Sequence, residues 1–218
     1  MSDRAEISRE IRNLTQLLVE KSISVSQNYP RVLNNTITWS NFQNLAFTLQ
    51  DEPYETIYKS CRKAKDYNFM LIDGALIQMQ YKFNRNNLVS HILRFYPNPN
   101  FENYQDNPEE YEELYFGIEL FTDMINKKAI VFPLRFDFSN VHNEMLHPMV
   151  HATFGNYKDC RIPISKPISP NRFMSFILRN FYFFKFIEEN LHDEISLNLS
   201  FGEQVTNNEK KLLHFTYE

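Results

Sequence analysis

Glycine is scarce, with four in 218 residues. No Gly-rich phosphate loop can be built from so few, and neither GxGxxG nor GxxxxGK(S/T) occurs, which argues against Rossmann and P-loop nucleotide sites. GxSxG is missing too, so a hydrolase nucleophile elbow has no support. The two cysteines, Cys61 and Cys160, lie far apart without CxxC spacing. They read as two buried thiols in a reducing compartment, not as a disulfide framework. No run approaches the ~20 apolar residues that a membrane helix needs. The richest, 173–187, is interrupted by Arg179, Asn180 and Lys185. The first residues, MSDRAEISREIRN, carry charges where a secretory signal needs an apolar run, so a cytoplasmic protein with no membrane partner is expected. An excess of positive charge is also absent: 23 Lys and Arg stand against 27 Asp and Glu, a net charge of -4. A nucleic-acid contact would therefore need a local basic patch or a partner that supplies charge.

What the chain has is aromatic bulk. Hydrophobic residues make up 43% and aromatic residues 15%, with 20 Phe and 12 Tyr. That is enough for one sizeable, ring-rich core. A single domain over 1–218 is expected, with a helical part at 1–65 and a sheet plus a long helix at 66–218. The first helix is read from Asp3 and Glu6 at capping-box spacing, followed by Ile7, Ile11, Leu14 and Leu18 on one face. A second helix is expected from Ser40 through Leu45 and Leu49. A third opens at Pro53 and runs through Tyr54, Ile57, Tyr58 and Cys61.

Beyond residue 66 the pattern becomes period two. Asn68 to Ile72 reads as a strand, and Asp73-Gly74 as a hairpin turn with both residues at positive φ. Ile77, Met79, Tyr81 and Phe83 alternate with Gln78, Gln80 and Lys82, and Val89, His91, Leu93 and Phe95 continue the meander. The polar, acidic stretch 97–113 reads as a long surface loop, Tyr115 to Phe121 as a strand and Asn126-Lys127-Lys128 as a turn. Ala129 to Phe138 and Met149 to Phe154 are strong strands. Ser169 caps a long helix with Pro170 at N1, whose buried side is traced by Phe173, Phe176, Ile177, Asn180, Phe181, Phe184, Ile187 and Leu191. Ile195, Leu197, Leu199 and Phe201 alternate like a last strand. The fold class is α+β: N-terminal helices, an antiparallel meander sheet, and a long aromatic helix covering one face.

Chemistry concentrates between Pro133 and Pro163. On the first strand of this segment Arg135 and Asp137 share the face opposite the phenylalanines, and on the next His147, His151 and Thr153 share the face opposite Val150 and Ala152. A hairpin around Ser139 to Leu146 in an even-sum register would bring Arg135 or Asp137 across from His147 or His151. Two functional readings follow. Asp137, His147 and His151 form a divalent-metal site, or a histidine acts as acid or base, oriented by Asp137, while Arg135 holds a phosphate-like anion. Either fits a nuclease or phosphoryl-transfer centre. The plainer alternative is an Arg135–Asp137 pair across the sheet with the histidines stacked at its rim. Lys158, Arg161, Lys166 and Arg172, near Tyr157, form a basic stretch for a phosphate or a base, or ordinary surface charge. Glu109, Glu110, Glu112, Glu113 and Glu119 offer carboxylates for a metal, or, as the plainer reading, a solvated loop or helix face.

The stretch HPMVHATFGNYKDCRIPISKPISPNRFMSFILRNFYFF, with NFMLIDGALIQMQYKF and FPLRFDFS before it, resembles domain-of-unknown-function family 2290. The likeness covers most of the chain after about residue 50 and is most specific at CRIP, at the Ser-Pro helix start and at FILRNFY. The resemblance implies a bacterial or phage-satellite origin and a role in anti-phage defence beside a helicase partner. It supplies no catalytic residues. The family motif carries a second histidine shortly after the one matching His151. This chain has Thr153 there, so a metal site relying on that histidine would lack a ligand. Three functions are consistent with all this: a defence protein that engages or cleaves nucleic acid at the His/Asp/Arg face, a non-catalytic adaptor of the helicase, or a stand-alone RNA-targeting toxin.

Overall fold

The computed structural model describes residues 3–48, 50–99, 132–157 and 159–217. Its centre is an antiparallel sheet. The expected strand at 115–121, the turn at 126–128, nearly all of the acidic loop and Lys158 lie outside the described residues.

Helix α1 (Asp3–Glu20) forms as its periodicity requires, burying Ile7, Ile11, Leu14 and Leu18. Three short strands follow: β1 (Ser24–Gln27), β2 (Pro30–Leu33) and β3 (Thr36–Trp39). They lie within the part expected to be helical, between the first and second expected helices. Asn34 and Asn35, both at positive φ, make the two-residue turn between β2 and β3. The helix expected from Ser40 shrinks to α2 (Leu45–Thr48). It is held from outside: the buried Asp66 carboxylate accepts the Gln43 and Leu45 N–H groups and the Trp39 indole N–H, all at 2.9 Å. Helix α3 (Tyr54–Ala64) starts after Pro53 and ends at Lys65 in the left-handed conformation.

Strands β4 (Phe69–Leu71), β5 (Leu76–Asn84), β6 (Asn87–Tyr96), β7 (Leu134–Ser139), β8 (Val150–Phe154) and β9 (Ile162–Pro163) complete the sheet. The order is β1-β4-β5-β6-β7-β8-β9, and β3 pairs with the far end of the β5 edge that β4 occupies. Alternation assigns two faces. Met79, Leu93, Phe136 and Ala152 point to the main core, under α1 and α4 (Pro170–Phe181). Leu76 and Tyr96 point the other way, into a smaller cluster with Ala46, Ile57, Tyr58 and Cys61 from α2 and α3.

The turn before β5 ties both sides together. Only Gly74 has positive φ, at 83°, so the turn is not the doubly left-handed one expected. A Cβ at Gly74 would meet Asn98 Nδ2 at 3.0 Å and the Tyr58 hydroxyl at 3.2 Å, which excludes larger residues. Asp73 is buried, and far more than a turn residue. Its carboxylate accepts the Ala75 N–H at 2.9 Å and the Tyr182 hydroxyl at 2.7 Å, while Tyr58 donates to the Gly74 carbonyl at 2.7 Å.

The Tyr182–Asp73 bond accounts for the largest departure from the expected long helix. Tyr182 leaves helical geometry (φ -133°, ψ 42°) and turns its ring inward, so the chain divides into α4, α5 (Phe183–Glu188) and α6 (Leu191–Glu194). The buried side is Phe173, Met174, Ile177, Leu178, Tyr182, Phe186 and Leu191; Phe176, Asn180, Phe184 and Ile187 are exposed. The start is as expected, with Ser169 Oγ accepting the Arg172 N–H. Residues 195–201 form no strand. Their carbonyls instead receive Asn171 and Arg172 at the start of α4. Among the described residues no helix is long and apolar enough to cross a membrane. Neither cysteine is disulfide-bonded; Cys61 is buried and Cys160 half-buried.

Tyr182→Phe leaves one oxygen of a buried carboxylate without its donor, so stability should fall by about 1–3 kcal/mol, a drop of roughly 2–10 °C in Tm. Thermal denaturation reads it, and an unchanged Tm would show that the bond is dispensable. A second expected outcome concerns His91, buried between Tyr81 and Phe138, whose Nε2 accepts the Ile168 N–H at 3.0 Å and so must be unprotonated. Burial holds its pKa down at about 3, against an ordinary 6.5. This contribution to stability is complete above pH 6.5 and is lost as pH falls from 6.5 towards 3, on the order of 5 kcal/mol at the limit. Glu10 works in the opposite sense: burial raises it to about 6, and its contribution is lost as pH rises through 6. Urea titrations at pH 7, 5 and 4 should show a flatter acid limb for His91→Gln than for the parent. Parallel limbs would place the acid sensitivity elsewhere.

Candidate functional site

The second face of the sheet carries the polar residues in rows across the strands. One row runs Gln78, Arg94, Arg135, Thr153, and the next Gln80, Ile92, Asp137, His151. The pairing of Asp137 with His151 is the even-sum register expected from the sequence. Arg94, Arg135 and Thr153 of the first row and Ile92, Asp137 and His151 of the second form the floor of a cleft of about 810 Å³, bounded by the end of α2 and by the turn after β8. All four expected site residues, Arg135, Asp137, His147 and His151, line it, and so does Arg161.

His151 is 4% exposed. Its Nδ1 lies 3.0 Å from the Pro148 carbonyl, an acceptor only, so Nδ1 carries the proton and Nε2 keeps its lone pair. That lone pair faces Asp137 Oδ2 at 3.8 Å, too far for a direct hydrogen bond. Burial pushes the His151 pKa down, opposed by the Asp137 charge and the Pro148 carbonyl, so the ring is neutral at pH 7. His147 lies edge-on to it, ring centres 4.9 Å apart, with its own Nδ1 buried and unbonded. It stands in a tight turn closed by its N–H to the Asn143 carbonyl. Chemically, Nε2 is placed to take a proton from a water or hydroxyl entering the gap, and Asp137 to steady the imidazolium that results.

The arginines are less usual. Arg94 and Arg135 are directly opposite each other on β6 and β7, a like-charge pair of the kind that destabilises a sheet. Asp137 takes no ion pair from Arg135, against the plainer reading of these residues. Arg94 is 8% exposed and, among the described residues, donates only to the neutral Gln78 Oε1, at 3.2 Å. The Nε atoms of both arginines are buried without a partner. Arg94 was invisible from sequence because its strand reads as ordinary alternation; the signal available was a charge in a stretch with apolar neighbours on both sides.

The basic stretch does not hold together as one patch. Arg161 stands at the cleft, bonded to the Leu146 carbonyl and paired with Asp159, both at 3.4 Å. Lys166 and Arg172 gather instead over the Tyr217 ring, 5.7 and 4.8 Å from its centre, and Arg172 lines a separate apolar pocket between α4 and the C-terminal segment. Among the described residues no group of three or more His, Cys, Asp or Glu side chains is placed to hold a metal ion. The acidic residues 109–119 lie outside the described residues.

A family model described as an uncharacterized conserved protein (DUF2290) matches residues 18–217. No curated protein and no solved structure matches the chain.

Replacing Arg135 with Met removes the like-charge repulsion while keeping an apolar stem. Stability should rise by about 0.5 kcal/mol, roughly 1–2 °C in Tm. A clear fall in Tm would mean that Arg135 serves the fold and not the cleft.

Proposed function

The chain belongs to the DUF2290 family, and we propose that it engages nucleic acid through the Arg/Asp/His cleft as the companion of a helicase in anti-phage defence. The observation that supports this most is the Arg94–Arg135 pair, two arginines at directly opposed positions of β6 and β7, each with a buried, unbonded Nε atom. Such a pair is costly when empty and favourable around phosphate oxygens, which match the guanidinium fork. The overall charge of -4 makes binding local to the cleft and not a property of the whole surface.

His151 and Asp137 lie one row away. In hydrolysis of a phosphodiester bound there, a water oxygen bonds to phosphorus as the ester P–O bond breaks. His151 Nε2 takes the water proton, and the departing oxygen leaves with a proton from solvent. A second reading, a non-catalytic adaptor, is favoured by the exposed Phe183, Phe184 and Ile187 on α5, a surface suited to docking the helicase. It predicts copurification with the helicase and no cleavage of any nucleic acid.

The test is phage plating on cells carrying the chain with its helicase neighbour. Asp137→Asn with His151→Ala should abolish protection while the purified variant keeps its circular dichroism spectrum. Alongside, Arg94→Gln or Arg135→Gln should weaken binding of a labelled single-stranded oligonucleotide, flattening its log–log salt dependence by ~0.7 for each phosphate that is no longer neutralised. Full protection by the Asp137/His151 double variant discards the cleft chemistry.

A further inference from the structure

The charges in the cleft are unevenly matched. Arg161 has Asp159 at 3.4 Å, and Asp137 faces His151. Among the described residues, Arg94 and Arg135 have no carboxylate within ion-pair distance, and their one hydrogen bond, Arg94 to Gln78, goes to a neutral oxygen. Asp51 and Asp137 also line the cleft, so what sets the inner end apart is local: two arginines with no described carboxylate in ion-pair contact.

This end is also closed on its β5–β6 side. The row beyond Gln78 and Arg94 is Leu76 and Tyr96, already covered by Ala46, Ile57 and Tyr58. On the β5–β6 side a strand of nucleic acid therefore cannot run on past Arg94.

Charge then separates the ligands. A backbone phosphodiester brings one negative charge, whereas a terminal phosphate monoester brings about 1.5 to 2 at pH 7 and offers three acceptor oxygens. We propose that the inner end of the cleft is a phosphomonoester site, formed by Arg94 and Arg135, that receives the terminal phosphate of a nucleic-acid strand. The inference rests on the reading of the cleft as a nucleic-acid site and names which part of the polymer enters it. Arg135 and Asp137 are two residues apart on β7, roughly 7 Å along the strand. With the terminal phosphate on the arginines, the next phosphate along the chain reaches the row of Asp137 and His151. The cleft thus acts on strand ends.

Binding of one fluorescent oligonucleotide in three forms tests this: a 5′-phosphate, a 3′-phosphate, and hydroxyls at both ends. One phosphorylated form should bind at least ~10-fold more tightly than the hydroxyl form, the gain expected from charge-assisted hydrogen bonds to the extra charge. In Arg135→Gln the ratio should fall to about one, and Arg135→Lys, which keeps the charge without the fork, should retain part of it. Competition by adenosine monophosphate identifies the source of the phosphate. Displacement only at large excess supports a strand end, and displacement at equal concentration supports the monoester site with a free nucleotide as its ligand. Equal affinity for all three oligonucleotides without competition overturns the inference and leaves the nucleic-acid reading standing. Binding of the mononucleotide with no binding of any oligonucleotide overturns the nucleic-acid reading instead.

Discussion

The register of β6, β7 and β8 is the constraint from which the rest of the molecule follows. Arg94 opposes Arg135 and Asp137 opposes His151 because Leu93 opposes Phe136 and Phe136 opposes Ala152. A slip of one residue in any of these pairs would turn phenylalanines into the cleft and charges into the core. The aromatic face thus enforces the position of every polar side chain on the other face. The packing of Phe136 against Phe173 and Phe176, 5.8 and 5.5 Å between ring centres, fixes the height at which Asp137 meets His151.

The two faces treat similar residues differently. His91 and His151 are both kept neutral by burial. His91 spends its Nε2 on a backbone N–H inside the core, so it is structural. His151 spends Nδ1 on a carbonyl and leaves Nε2 open to the cleft, so it has chemistry to offer. The same contrast separates the arginines. Arg172 is occupied by the Leu197 and Leu199 carbonyls and the Tyr217 ring, whereas the Nε atoms of Arg94 and Arg135 are buried and unbonded. An arrangement that costs stability in a sheet otherwise well packed is where function is to be sought.

Strong periodicity made much of this legible. The α1 stripe, the alternation along β5 to β8, the Ser169–Pro170 helix start and the shared face of Arg135, Asp137 and His151 all rest on repeats that local geometry enforces. Asn34-Asn35 is a turn signal as well, and Thr36 to Trp39 alternates, but over only four residues, and its partner β2, with exposed Val32 and Leu33, lacks the alternation that identifies a strand. The break at Tyr182 had no local sign. No proline or glycine marks it; it exists because a buried carboxylate 109 positions earlier needs a hydroxyl.

The sequence by itself determined which residues alternate, where helices start, and that imidazole, carboxylate and guanidinium groups would gather on one side of a hairpin, since side-chain direction in a strand has a period of two whatever the partner. Only the tertiary structure decided that Arg94 joins them, that Lys166 and Arg172 do not, and that α2 and α3 close one end of the cleft. Those outcomes depend on which strands become neighbours and what covers the sheet, and contacts between residues distant in the chain leave no periodic trace along it.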